Sequence, residues 1–147
     1  MAIIQSNFFK GNARTPTADP HRKHETITQM FSHYFTEALT TADILDLFPV
    51  FPGAKIVGFE FICENMATEA LDIGLMSGTP GSKDAGRTSG DELIDGIAAS
   101  TGGSTALATL ANLAANGDTA VSIGVKTATN IAAGATKALH VKITLVS

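Results

Sequence analysis

Cysteine, tryptophan and charge are all scarce in this chain of 147 residues. The single cysteine, Cys63, leaves no partner for an internal disulfide and excludes a zinc site built from several thiolates. With no tryptophan and one tyrosine, Tyr34, there is little on which a sugar ring could stack, so a carbohydrate- or host-surface-binding module is a minor alternative. Charged residues make up 16% of the chain, against roughly 25% in ordinary soluble domains. Ten basic against fourteen acidic residues give a net charge of −4, without the basic excess of a nucleic-acid binder. No apolar run approaches the roughly 20 residues that a membrane-spanning helix needs. Met1–Lys10 lacks the basic start and long apolar stretch of a signal peptide. The expectation is a protein made and kept inside a cell, or packed into something assembled there, with neither nucleic acid nor membrane as its partner.

What is present is hydrophobic: 44% of residues, enough for one domain with a real core and too much for a disordered chain. The charges fall into three zones. Residues 1–24 carry Lys10, Arg14, Arg22 and Lys23 against Asp19; Glu25 to Asp95 holds twelve acids against Lys55, Lys83 and Arg87; the remainder is weakly basic. Lys10 to Pro20 shows no apolar periodicity and contains two prolines, so residues 1–24 are expected to form an extended basic arm and 25–147 a single domain. Such an arm could reach roughly 80 Å at about 3.3 Å per residue, far enough to cross a neighbouring subunit. Ile3, Ile4, Phe8 and Phe9 place apolar anchors near its tip.

The domain reads as strands. Lys55–Cys63 alternates Val57, Phe59, Phe61 and Cys63 against Ile56, Gly58, Glu60 and Ile62, the pattern of a central strand. Glu69–Met76 sets Leu71, Ile73 and Leu75 on a core face and Ala70, Asp72 and Gly74 toward water, and is expected to pair with the preceding strand through the Glu64–Thr68 turn. Asn116-Gly117 signals a tight turn before Thr119–Val125. The last strand, Ala138–Val146, puts Leu139, Val141, Ile143 and Leu145 on one face and His140, Lys142 and Thr144 on the other. Residues 27–39 suit a helix by apolar spacing but are rich in Thr, Phe and Tyr, and strand is preferred; Ser104–Asn116 is a short helix or an irregular strand. Short strands separated by Gly, Pro and Asn turns imply a mainly β fold, an antiparallel β-sandwich or jelly-roll-like domain with an extended N-terminal arm.

No catalytic set emerges. His21 and His24, near Asp19 and Glu25, have no accompanying ligand motif; His33 and His140 suit surface or interface roles. Cys63 shares its face with core residues, as expected of an inert thiol. The loop Ser77–Gly90 is rich in glycine, but lacks phosphate-loop spacing and precedes no convincing helix, so it is expected to be a flexible surface loop or a partner-binding one. Asp84, Asp91, Glu92 and Asp95 lack calcium-loop spacing. Neither a metal, a cofactor nor an enzymatic activity is expected. Low charge suits a subunit whose surface is covered by neighbours.

Ala38–Leu47, then Pro49, then Phe51-Pro52-Gly53-Ala54-Lys55-Ile56, forms a phrase in which Asp43 takes backbone N–H groups at a turn and Gly53 permits the reversal into the next strand. With Leu71–Leu75 and Leu139–Val146, this phrase resembles the small head-decoration, or cement-like, structural proteins of tailed bacteriophages. The resemblance implies a β-rich protein without enzymatic activity, assembled in the host cytoplasm, that binds the major capsid protein on the outer surface of the phage head. A homo-oligomer is expected, with a trimer favoured. The basic arm departs from the family's short N-terminus, and Ile3, Ile4, Phe8, Phe9, Lys10, Arg14, Arg22 and Lys23 are the candidate contacts with the capsid or an adjacent copy. Another virion subunit, from the tail, neck or fibre base, is the alternative.

Overall fold

The C-terminal strand organises half of the molecule. In the computed structural model, which describes residues 1–7, 9–10 and 26–146, β9 (Ala138–Val146) lies between β2 (Thr26–Tyr34) and β4 (Lys55–Glu64), antiparallel to both. A two-residue strand, β7 (Gly103–Ser104), completes a sheet of order β2-β9-β4-β7. The alternation read from the sequence holds along β9: Leu139, Val141, Ile143 and Leu145 are buried, and His140, Lys142 and Thr144 face the other way.

The facing sheet has the order β1-β3-β8-β5-β6, from β1 (Ile3–Gln5), β3 (Ile44–Val50), β8 (Val121–Thr127), β5 (Ala70–Met76) and β6 (Ile94–Ala98). Apart from the parallel β1–β3 pair, its ladders are antiparallel. The two inner faces form one core, with Phe59, Phe61, Leu139, Val141 and Ile143 on one side and Leu45, Leu71, Ile73, Ile123 and Val125 on the other. Phe31 of β2 stacks on Phe48 of β3 across it, ring centroids 3.9 Å apart. The antiparallel sandwich expected from strand spacing is the fold observed; of residues 27–39, whose Thr and aromatic content favours strand, 27–34 are strand, while 35–39 leave the sheet and only Leu39 makes a bridge, to Ile131.

Several local expectations need correction. β5 does not pair with β4; the chain crosses between the sheets after Glu64, and β5 joins β6 and β8. A register shift between Ile56 and Gly58 breaks the simple alternation of β4, so Ile56 enters the core and Val57 turns outward. A bulge of this kind inserts one residue and reverses the phase that follows it, which period-two counting misses. Asn116-Gly117 makes no hairpin. Its backbone instead bonds to the turn between β3 and β4, with Asn116 N–H on Ala54 O and Gly53 N–H on Gly117 O. The segment 104–116 contains one short helix, α1 (Leu107–Asn112), which buries only Leu110 and leaves Leu107 79% exposed.

The N-terminal residues are also placed differently. β1 is the edge of a sheet, Ile3 is buried with Ile44 and Met76, and Ile44 N–H bonds to Ala2 O. Residues 1–6 therefore belong to the sandwich, while Phe8 and residues 11–25, with Arg14, Arg22, Lys23, His21 and His24, lie outside the described residues.

Candidate subunit interface

The outer face of the five-stranded sheet is closed by the chain itself. Residues 77–92 fold back across it at the paired glycines Gly74 of β5 and Gly124 of β8. A Cβ at Gly74 would meet the Glu92 carboxylate and the Gly90 backbone, and one at Gly124 would meet Ser89 and Met76. Only glycine admits the loop this close. Arg87 fastens it from within. Its guanidinium donates to Asp46 Oδ2 at 2.6 Å, Ser82 O at 2.8 Å and Ser122 Oγ at 2.7 Å, while Nε donates to Ser77 O at 2.8 Å. The expected flexible surface loop is thus anchored through a buried ion pair. Glu92 and Asp84 are engaged locally, accepting from Leu75 N–H and Gly86 N–H. Among the described residues no group of three His, Cys, Asp or Glu could hold a metal, and no helix is long and apolar enough to cross a membrane.

The N-terminal segment ties this loop to both sheets. Gln5 Nε2 donates to Gly81 O at 2.6 Å, Phe9 lies against Gly81, and Ser6 hydroxyl donates to Leu47 O. Asn7 N–H then donates to His33 Nδ1 and Asn7 Oδ1 accepts from Tyr34 N–H, both at 3.3 Å, at the end of β2. Lys10 pairs with Glu37 at 2.9 Å. The bond from Lys10 holds the Glu37 carboxyl below its ordinary value. His33 is buried beside this pair; burial and, secondarily, Lys10 push its imidazole down to about 4, against an opposing pull from Glu37. Of the candidate contact residues, Ile3 and Ile4 are therefore packed inside this chain's own fold, and Phe9 and Lys10 lie against it.

Among the described residues nothing covers the outer face of the four-stranded sheet in the same way. Along its central row, Met30 of β2, Lys142 of β9, Glu60 of β4 and Ser104 of β7 stand side by side. Met30 is 60% exposed and Ile62, one row away, 59%. Tyr34 and Val57 are also exposed. Lys142 Nζ lies 3.1 Å from Glu60 Oε1. A groove of about 550 Å3 crosses this face from Met30 over Lys142, His140, Glu60 and Ile62 to residues 101–104. This face combines exposed apolar side chains, a shallow groove and a lysine–glutamate pair.

Polar side chains in the next row contain the parts of a nucleophilic relay. Ser32 Oγ is 2.7 Å from His140 Nδ1, and the buried His140 Nε2 lies 3.4 Å from Glu64 Oε1 without forming a hydrogen bond there. Acyl transfer would also need N–H donors converging on an oxyanion. The N–H groups of β9 lie in the sheet plane and serve its two ladders, so none is aimed above Ser32. The trio acts as a cross-strand polar ladder. Cys63 is half-buried, its thiol pushed up to about 12 by burial and by Glu69, which keeps it a poor nucleophile.

No protein-family model and no curated protein matches this chain. Solved structures do. A chain in the capsid of Ralstonia phage GP4 is similar with a TM-score of 0.82 and 26% identity, over 99% of this chain and 98% of that one. A chain of the capsid asymmetric unit of cyanophage Pam1 has a TM-score of 0.57 at 17% identity, over 92% and 94%. One from the acidic stable capsid of Helicobacter pylori bacteriophage KHP30 has a TM-score of 0.51 at 10% identity, over 83% and 88%. The last two speak for the fold; the first supports a structural role in a phage virion for a chain of this architecture.

Proposed function

We propose that this chain is a decoration protein of a phage head, a non-catalytic plate that binds the outer surface of the shell formed by the major capsid protein and reinforces it. The observation that carries the reading is the end-to-end likeness to a chain of a phage capsid, 99% against 98% coverage at a TM-score of 0.82. Chains matched that completely have nearly the same length, so the likeness extends to the whole molecule. A capsid as the setting of that chain favours the head over a tail, neck or fibre base. Copies would sit at three-fold or quasi-three-fold positions as trimers, with the basic arm, including Arg14, Arg22 and Lys23, reaching the shell or a neighbour. Burial of a few hundred Å2 of apolar surface per copy contributes several kcal/mol at about 25 cal/mol per Å2 before ordering costs, repeated over the shell.

Titration of purified protein onto undecorated heads tests this. Binding should saturate at a copy number commensurate with the whole surface lattice, and decorated heads should withstand heating or chelation better than bare ones. Attachment confined to one vertex would identify a connector, and closed shells assembled from this chain alone would identify a shell-forming subunit; either result overturns the reading.

A further inference from the structure

The outer face of the four-stranded sheet, which no described residues cover, is built so that it matches itself. Its strand order, β2-β9-β4-β7, has a midline between β9 and β4. A two-fold axis along the strands at that midline would bring β2 of one copy over β7 of the other, and β9 over β4. The central row then reads Met30–Lys142–Glu60–Ser104 against the same row reversed. Lys142 meets the second copy's Glu60, Glu60 meets its Lys142, and the exposed Met30 meets the second copy's Ser104, both of them on the groove that crosses this face. Met30 and Lys142 are the middle residues of their nine-residue strands, so this row lies at the centre of the contact. In the next row His140 faces Ile62.

We infer that this face is a homotypic docking surface whose occupant is a second copy of the same chain, related by a two-fold axis parallel to the strands.

Three arguments support a second copy over an unrelated partner. First, a lysine and a glutamate side by side on adjacent strands are complementary to their own two-fold image; two like charges would repel it. Second, three strands about 4.8 Å apart, each of about nine residues at about 3.3 Å, together with the two residues of β7, give a footprint of roughly 450 Å2 per copy. Two such footprints, about 900 Å2, lie at the small end of protein interfaces and suit a weak, reversible contact. Third, the opposite face of the sandwich is already closed by residues 77–92, so stacking through this face pairs two copies and then stops, as a closed two-fold contact must. Sheets packed this way keep their strands within about 30° of each other, which the twist of each sheet sets. On a head, neighbouring three-fold positions are related by radial two-fold axes, so the contact would join one cluster of copies to the next; that consequence alone rests on the decoration reading.

The test needs no capsid. Glu60→Lys places like charges on the central row of two copies, and so does Lys142→Glu. Mixed one to one, however, the two lysines in the central row of the first variant meet the two glutamates in that of the second, and opposite charges face each other again. Sedimentation equilibrium of the full chain should show a two-fold association step in the wild type. That step should weaken at least tenfold in each single variant and return in the mixture, with circular dichroism unchanged throughout. Recovery on mixing cannot come from altered folding, because neither chain changes. A wild type that shows no such step at its solubility limit, variants that associate as the wild type does, or a mixture no better than its parts would each overturn the inference. These results are independent of head binding, so failure here leaves the decoration reading to its own titration.

Discussion

Arg87 Nη1 lies 2.6 Å from Asp46 Oδ2, and both side chains are almost completely removed from water, at 2% and 0% exposure. Asp46 Oδ2 also accepts the Gly81 N–H at 2.9 Å, so one carboxylate oxygen holds the two arms of the loop that crosses the sheet. The pair therefore joins the middle of β3 to a segment that lies beyond two further strands in sequence. It converts a stretch of small and polar residues into a fixed cover over the outer face.

Breaking a buried pair from one side leaves the other charge without a partner, a loss of about 3–5 kcal/mol. Arg87→Met should reduce stability by about that much in urea unfolding, and should expose residues 77–92 to limited proteolysis. Asp46→Leu combined with Arg87→Met removes both charges and should recover a large part of the loss. A double variant as unstable as the single one would mean that the bonds from Arg87 to Ser77, Ser82 and Ser122, rather than the charge pair, hold the loop.

His33 gives the fold a dependence on pH. Its imidazole is buried and neutral, accepts the Asn7 N–H, and has its folded value lowered from 6.5 to about 4. In the unfolded chain the same group takes up a proton near 6.5, so between these limits the unfolded state binds more protons. The stability that His33 contributes is present in full above pH 6.5 and is lost progressively as pH falls toward 4. A shift of this size corresponds to roughly 3 kcal/mol. Urea midpoints measured from about pH 7 to about pH 4 should fall in the wild type, and the part of that fall due to His33 should vanish in His33→Gln. An unchanged pH profile in His33→Gln would assign the acid sensitivity to other groups.

The parts of this architecture legible in the sequence are those decided by local alternation. β9 shows this best: every second residue from Leu139 to Leu145 is apolar, and all four are buried. The strand character of residues 26–34 was legible from Thr and aromatic content, although their spacing equally suits a helix. β4 shows the limit, because the bulge after Ile56 reverses its phase through pairing with β9, a partner at the far end of the chain. Arg87 stands in a loop of small and polar residues with nothing local to mark it. Its one sequence signal is on another strand, where Asp46 stands alone among Ile44, Leu45, Leu47 and Phe48, and a carboxylate so placed requires a buried partner. Likewise Glu60 and Ile62 could be assigned to a common face, and His140 and Lys142 to another, but only the β2–β9–β4–β7 register brings Met30 and Ser104 into line with them.

Because β9 is an inner strand of its sheet, paired along its length on both sides, its last residues carry more of the fold than their position suggests. Removing residues 143–147 deletes the buried Ile143 and Leu145, and leaves residues 26–29 and 55–59 without their ladder partner. Each lost side chain accounts for about 2–3 kcal/mol of apolar burial, before the unpaired backbone groups of two further strands are counted. Together these losses are comparable to the whole stability of an ordinary domain, about 5–15 kcal/mol. The truncated chain should accumulate in the insoluble fraction or lose its cooperative thermal transition, whereas removal of Met1 alone should leave the melting temperature unchanged. A soluble, cooperatively melting chain ending at Lys142 would show that β2 and β4 can be held together without the lower half of the strand between them.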